Sequence, residues 1–103
     1  KISTYPSWNF GPEKKNCKNV SQVVEKILAD WPIRKKIIIK KDKMHESKFL
    51  SLNITKAKKE LNWKPRLSFP QTISFTVDWY KNYFKQNNMR KITSDQINQY
   101  MEF

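Results

Sequence analysis

A single glycine, Gly11, serves a chain of 103 residues. Glycine enters the left-handed backbone region without steric penalty and lets main chain approach a phosphate closely. One glycine therefore excludes a Gly-rich phosphate loop of the dinucleotide or Walker type. Gly11 itself, in Phe10-Gly11-Pro12, is expected to mark a turn that needs positive φ. Helix exits elsewhere fall to asparagine, the best substitute for glycine in that region.

Such an exit stands in the stretch NITKAKKELNWKPRLSF, residues 53–69. A helix capped by Asn53 or Thr55 and ending at Leu61 puts Asn62 just past its end. Trp63 then folds back onto Ala57, and Pro65 blocks a restart. Ser68 and Gln71 have the spacing of a capping box that opens a long helix through about Lys85. Its inner face carries Phe69, Ile73, Val77, Tyr80 and Phe84, with Phe75 and Trp79 on a second shoulder. Thr93 and Gln96 repeat the capping-box spacing, with Ile92 and Ile97 placed as a hydrophobic staple for a last helix.

Upstream, Val20, Val23, Val24, Ile27, Leu28 and Trp31 recur at helical spacing until Pro32 stops the run. Three short strands are expected as well. Residues 5–10 close on Gly11-Pro12, Ile37 to Ile39 sit β-branched within 35–41, and apolar residues alternate at Leu50, Leu52 and Ile54. Polar loops are expected at 13–18 and 42–47. The fold class read from this pattern is α+β, helix-rich with short strands, in one region spanning 1–103 without repeats or a low-complexity linker.

A chain of this length buries roughly 60 to 70% of its unfolded surface, so a core built from a few large side chains, Trp8, Trp31, Trp63 and Trp79, is expected. The formal net charge of +12 suits an anionic partner: nucleic acid, an acidic membrane surface or a small phosphorylated ligand. The lysines are scattered along the sequence, which equally fits a general compositional bias or an acidic partner that balances them. Cys17 is the only cysteine, so no internal disulfide forms and a reducing cytoplasm fits. The longest aliphatic run, Ile37 to Ile39, is far too short to cross a membrane. The opening Lys1 suggests a cut from a longer polypeptide.

Most catalytic templates fail. The lone His45 and lone Cys17 cannot build a zinc cluster, and Tyr-x-x-x-Lys is absent, since Phe84 follows Tyr80 by four and Asn87 follows Tyr83 by four. Cys17 reads as an incidental thiol beside Lys15 and Lys18. His45-Glu46 follows Lys40, Lys41 and Lys43. One reading is a loop whose imidazole and carboxylate hydrogen-bond ribose or base while a lysine neutralises phosphate; the other is a solvated polar loop. The aromatics at helical spacing read as core before they read as a stacking platform.

In chain order, Trp8-Asn9-Phe10-Gly11-Pro12, His45-Glu46, Leu50 through Ala57, Leu61-Asn62-Trp63-Lys64-Pro65, Val77-Asp78-Trp79-Tyr80, Met89 through Thr93 and Gln96-Ile97 together form a pattern. It resembles the C-terminal part of the CDP-glucose 4,6-dehydratases, within the extended short-chain dehydrogenase/reductase family of sugar-nucleotide enzymes. A Leu-Gly-Trp-x-Pro ending is shared across that wider family, and Asn62 stands where it commonly has glycine. The Asn-Phe-Gly-Pro, His-Glu and Thr-x-x-Gln-Ile phrases narrow the resemblance to the CDP-glucose type. Met44, Ser47 and Asn53 depart from the Pro, Ala and Asp common there.

The resemblance implies an N-terminal Rossmann domain that binds NAD and a smaller C-terminal region that closes over the sugar nucleotide, with 1–103 as the latter. In the family, NAD takes hydride from the sugar's C4, water leaves across C5 and C6, and the hydride returns to C6. The product is a 4-keto-6-deoxy sugar, and the enzyme is a lyase. The dinucleotide glycines and the Tyr-x-x-x-Lys pair then belong to a Rossmann half outside this chain. Residues 1–103 alone are expected to be inactive, to hold no catalytic residue and no metal, and to bind neither NAD nor, beyond feebly, CDP-glucose. By position, Lys43 matches a basic residue that meets phosphate and Glu46 a carboxylate that meets ribose, with His45 close by. The partners implied are a CDP-glucose-like sugar nucleotide and the Rossmann half, in the cytoplasm and away from membranes. The broad aromatic face of 69–84 adds self-association as an expectation. The competing reading is a basic nucleic-acid-binding helical module without enzymatic activity, whose binding would collapse as salt rises.

Overall fold

The computed structural model describes residues 6–31 and 51–103. They form a 3-10 turn, Lys14–Asn16, and four helices: α1 Val20–Asp30, α2 Thr55–Leu61, α3 Phe69–Phe84 and α4 Met89–Met101. No strand occurs among the described residues, which corrects the α+β expectation to a helical one. Residues 6–10 and 51–54 run as irregular chain. A strand needs a second backbone to pair with, and these segments meet through side chains: Leu52 and Ile54 lie against Gly11. The alternation at 52 and 54 buries Ile54 and leaves Leu52 exposed, so it follows one small apolar contact. The strand expected at 35–41 lies outside the described residues. The chain divides into two compact units, whose described parts are 6–19 with 51–65 and 20–31 with 66–103.

The first unit is organised by α2. Seven residues are too few for a helix to persist on its own propensity. Its start is held by Asn53, whose Oδ1 accepts from the Thr55 N–H at 3.0 Å. Its end is the expected one: Asn62 adopts φ 50 and ψ 37, and its N–H turns back to the Ala57 carbonyl. The Trp63 N–H reaches the same oxygen at 3.4 Å. Ala57 is fully enclosed and Ile54 nearly so, while the Trp63 ring meets Phe10 edge-on at 5.1 Å.

Gly11 does not take positive φ, contrary to expectation. A Cβ placed there would lie 3.6 Å from Leu52 Cβ and 3.7 Å from Ile54 Cγ2, ordinary contact distances. Without a left-handed backbone to preserve, Gly11→Ala is expected to leave stability unchanged or raise it by up to about 1 kcal/mol, because alanine narrows the unfolded ensemble. A urea midpoint lowered by more than the equivalent of about 1 kcal/mol would contradict this.

In the second unit α3 packs against both α1 and α4. Both bonds of the expected capping box form, Gln71 N–H to Ser68 Oγ at 3.2 Å and Ser68 N–H to Gln71 Oε1 at 2.8 Å. Ile73 and Val77, one turn apart, are buried, but Tyr80 and Phe84 on the same stripe emerge into solvent. The Trp31 N–H extends α1 by bonding Ile27 O at 2.8 Å, and its ring tilts against Phe84 at 5.6 Å. At the far end Arg66 donates to Phe103 O at 3.4 Å and lies over the Tyr100 ring, while Phe103 meets Phe75. The end of α4 is thereby joined to the residues that precede α3.

The start of α4 departs from expectation. Asn88 is its cap, accepting from the Lys91 N–H at 3.2 Å, so Thr93 and Gln96 lie inside the helix. Asn88 outranks threonine as a cap, and Met89 to Ile92 contain nothing that delays helix formation once it is in place. Thr93 and Gln96 instead bond to α3: Trp79 Nε1 donates to Thr93 Oγ1 at 2.9 Å, and Gln96 Nε2 donates to the Phe75 carbonyl at 2.7 Å. Ile97, expected in a staple, is exposed. The core also differs. Among the described residues only Ile54, Ala57, Ile73 and Val77 are buried, and all four tryptophans are half-exposed. Units this small cannot surround an indole on every side, so small side chains fill the enclosed positions and the rings roof them.

Candidate functional site

Lys43, His45 and Glu46 lie outside the described residues. What the first unit does describe is the association of sequence phrases far apart in the chain. Phe10 of Trp8-Asn9-Phe10-Gly11-Pro12 packs on Trp63 of Leu61-Asn62-Trp63-Lys64-Pro65, and Gly11 packs on Leu52 and Ile54 of the 50–57 phrase. Lys56, from the same phrase, donates to the Ser7 carbonyl at 2.8 Å, and its ammonium lies 5.4 Å from the centroid of the Trp8 ring. A cation over an indole face is attracted by the ring quadrupole, so one lysine secures the start of the phrase by two contacts.

Trp8 Nε1 is buried and has no acceptor among the described residues. A desolvated donor left unpaired costs about 1 to 3 kcal/mol, so the indole is held by the packing around it. Glu13 and Lys58 form an ion pair at 3.0 Å, which ties the 3-10 turn to α2. Cys17, half-buried at the end of that turn, donates from Sγ to Glu13 O at 3.7 Å. Sequence reasoning missed the Lys56 and Trp8 pair. Thr-Lys-Ala-Lys-Lys-Glu reads as a solvated helix face, and nothing local says which of its lysines turns back 49 residues to Ser7.

The second unit carries an aromatic run. Trp79 and Tyr83 stack in parallel, 5.7 Å apart and 7° from coplanar, and Tyr80 and Phe84 meet them edge-on. A notch of about 350 Å³ lies at the α3 to α4 corner, lined by Tyr83, Phe84, Gln86, Asn87 and Met89. Gln86 takes φ 58 there. Among the described residues no three His, Cys, Asp or Glu side chains gather as metal ligands. No helix among them is long and apolar enough to cross a membrane.

No family model matches the chain. It is similar to the CDP-glucose 4,6-dehydratase of Salmonella typhimurium strain LT2, with 30% identity over 95 residues. That alignment takes in 91% of this chain and 26% of the Salmonella protein, so the chain spans about a quarter of the length of the relative it matches. The relationship is distant and partial.

Proposed function

We propose that this chain is the substrate-binding part of a CDP-glucose 4,6-dehydratase-like enzyme, which converts a nucleoside-diphosphate hexose to its 4-keto-6-deoxy form. The observation that carries the reading is the convergence of the Asn-Phe-Gly-Pro phrase, residues 51–57 and the Leu-Asn-Trp-Lys-Pro phrase in one unit, in a chain that aligns to such a dehydratase over 91% of its length. Lys43 meets the pyrophosphate as a point charge, Glu46 accepts from the ribose hydroxyls, and His45 stands beside them. These residues bind and orient; hydride and proton transfer belong to another part of the enzyme. NAD is assigned to the rest of such an enzyme, because a dinucleotide loop needs several glycines and this sequence has one, Gly11.

A chimera tests the proposal: the aligned segment of the Salmonella enzyme is replaced by this chain, and turnover of CDP-glucose is followed. The chimera is expected to bind NAD and to form the 4-keto product. Lys43→Ala and Glu46→Gln should each raise KM about tenfold with little change in kcat, a loss of about 1.4 kcal/mol of binding common to ground and transition states. A chimera that binds NAD yet keeps its KM in both variants removes these residues from the site. Because the opposite wall of the cleft lies elsewhere, calorimetry on the chain alone should find no CDP-glucose binding in the micromolar range; tight binding there would contradict a shared site.

A further inference from the structure

The packing of α4 leaves one of its long faces open. Gln96 donates to the Phe75 carbonyl of α3, and Met89, Ile92 and Tyr100, which share that side of the helix, are half-buried. With about 3.6 residues per turn, Arg90, Ser94, Ile97 and Met101 fall in a stripe about 60° wide, roughly 130° round the helix from that side. Ile97 and Met101, 57% and 63% exposed, are its apolar members. Two charged residues follow one edge of the stripe at opposite ends of α4. Lys91 stands in the first turn, where its exposed pair with Asp95 at 3.4 Å leaves ammonium protons for a further partner. Glu102 caps the last turn and has no ion pair among the described residues.

We propose that this stripe pairs, antiparallel, with the same stripe of a second copy of the chain. The occupant follows from the pattern of the residues. When α4 is reversed against itself, Ser94 comes opposite Ile97 and Arg90 opposite Met101. A small side chain then receives a branched one, and the aliphatic stem of the arginine covers the thioether. The same reversal sets Lys91 of each copy beside Glu102 of the other, twice by symmetry. A parallel pair would set Lys91 against Lys91 and Glu102 against Glu102. Charge therefore selects the orientation, and the stripe is complementary to itself. The formal charge of +12 on each copy opposes association, and the apolar area is small. The dimer is accordingly weak, with a Kd on the order of 1 mM at moderate salt, where repulsion beyond about 8 Å is screened. The exposed rings of α3 have neighbours within the unit, Tyr83 on Trp79 and Phe84 on Trp31, and take no part. The inference does not depend on the sugar-nucleotide reading, since Lys43 to Glu46 are not involved.

The test is sedimentation equilibrium on the full chain, at concentrations up to about 1 mM in about 0.15 M salt. The parent is expected to show a reversible equilibrium between monomer and dimer. I97S, K91E and E102K should each weaken the dimer by about tenfold, with the circular dichroism spectrum unchanged because all three side chains are exposed. The decisive arm mixes two variants. K91E and E102K each repel themselves, whereas a dimer of one with the other keeps one ion pair as it is and remakes the second with its signs exchanged. The equimolar mixture should therefore associate within about threefold of the parent affinity. Y83S, on the exposed aromatic run of α3, should leave the dimer within about twofold of the parent. A parent that stays monomeric throughout, a mixture no more associated than its two components, or a loss with Y83S equal to that with I97S would each overturn the proposal.

Discussion

Replacing Ile73 by alanine lowers the unfolding free energy by about 2 to 4 kcal/mol, read as a shift of the urea midpoint at constant slope. Ile73 is 7% exposed on α3, the helix that packs against α1 and α4, one turn from Val77 at 4%. The substitution removes three carbons from a site bordered by other elements, so transfer energy is lost and the surroundings close only in part. The core among the described residues consists of four small or aliphatic side chains, which leaves few others to share the loss. Tyr80→Ala provides the contrast: two turns further along, with its ring 48% exposed, it should cost clearly less. Equal costs at 73 and 80 would show that the helix is not held by the buried end of its stripe.

Ala57→Asp is expected to remove α2, at a cost on the order of 3 to 5 kcal/mol, by placing an uncompensated carboxylate in a closed site. Ala57 has no exposure at all, and its own carbonyl is where the Asn62 and Trp63 N–H groups converge. The helix exit and the enclosed methyl therefore depend on one residue. A helix of seven residues has no cooperative reserve, so loss of the docked face means loss of the helix. The indole N–H resonance of Trp63 reports the change, because the Trp63 ring is held against Phe10 only while the exit is formed. Lys59→Asp, an exposed neighbour on the same helix, should leave that resonance in place and change stability by less than about 0.5 kcal/mol. If Ala57→Asp leaves the Trp63 signal unmoved, the exit does not rest on Ala57.

Helix ends governed by contacts a few residues apart were legible from the chain. The Ser68 and Gln71 box, the left-handed Asn62 and the stop of α1 before Pro32 all formed where the residues put them. Each is closed by hydrogen bonds within six positions, so its energy is fixed by neighbours in sequence. Where two local signals compete, spacing alone misleads. Thr93 is the start that the capping-box spacing predicts for α4, and Asn88 caps the helix instead because it comes first and nothing after it resists a helix. Thr93 is thereby free to receive the Trp79 indole, a role for which no short-range pattern exists. The candidate site was legible in the same limited sense. Its phrases identify a family likeness, and the described residues bring three of them together, while Lys43, His45 and Glu46 lie beyond the described residues.

By itself the amino-acid order determined which of the described stretches turn into helix and how most of them begin and end. Packing in three dimensions settled the rest: that the described parts of the expected strands, 6–10 and 51–54, stay unpaired, that Gly11 is a contact without positive φ, and that alanine and valine are enclosed while tryptophans stay half-exposed. The division has a physical origin. Helical hydrogen bonds and caps are satisfied over a few residues, whereas strand pairing and burial depend on which distant segment arrives alongside, and that is set by the sum of many weak contacts.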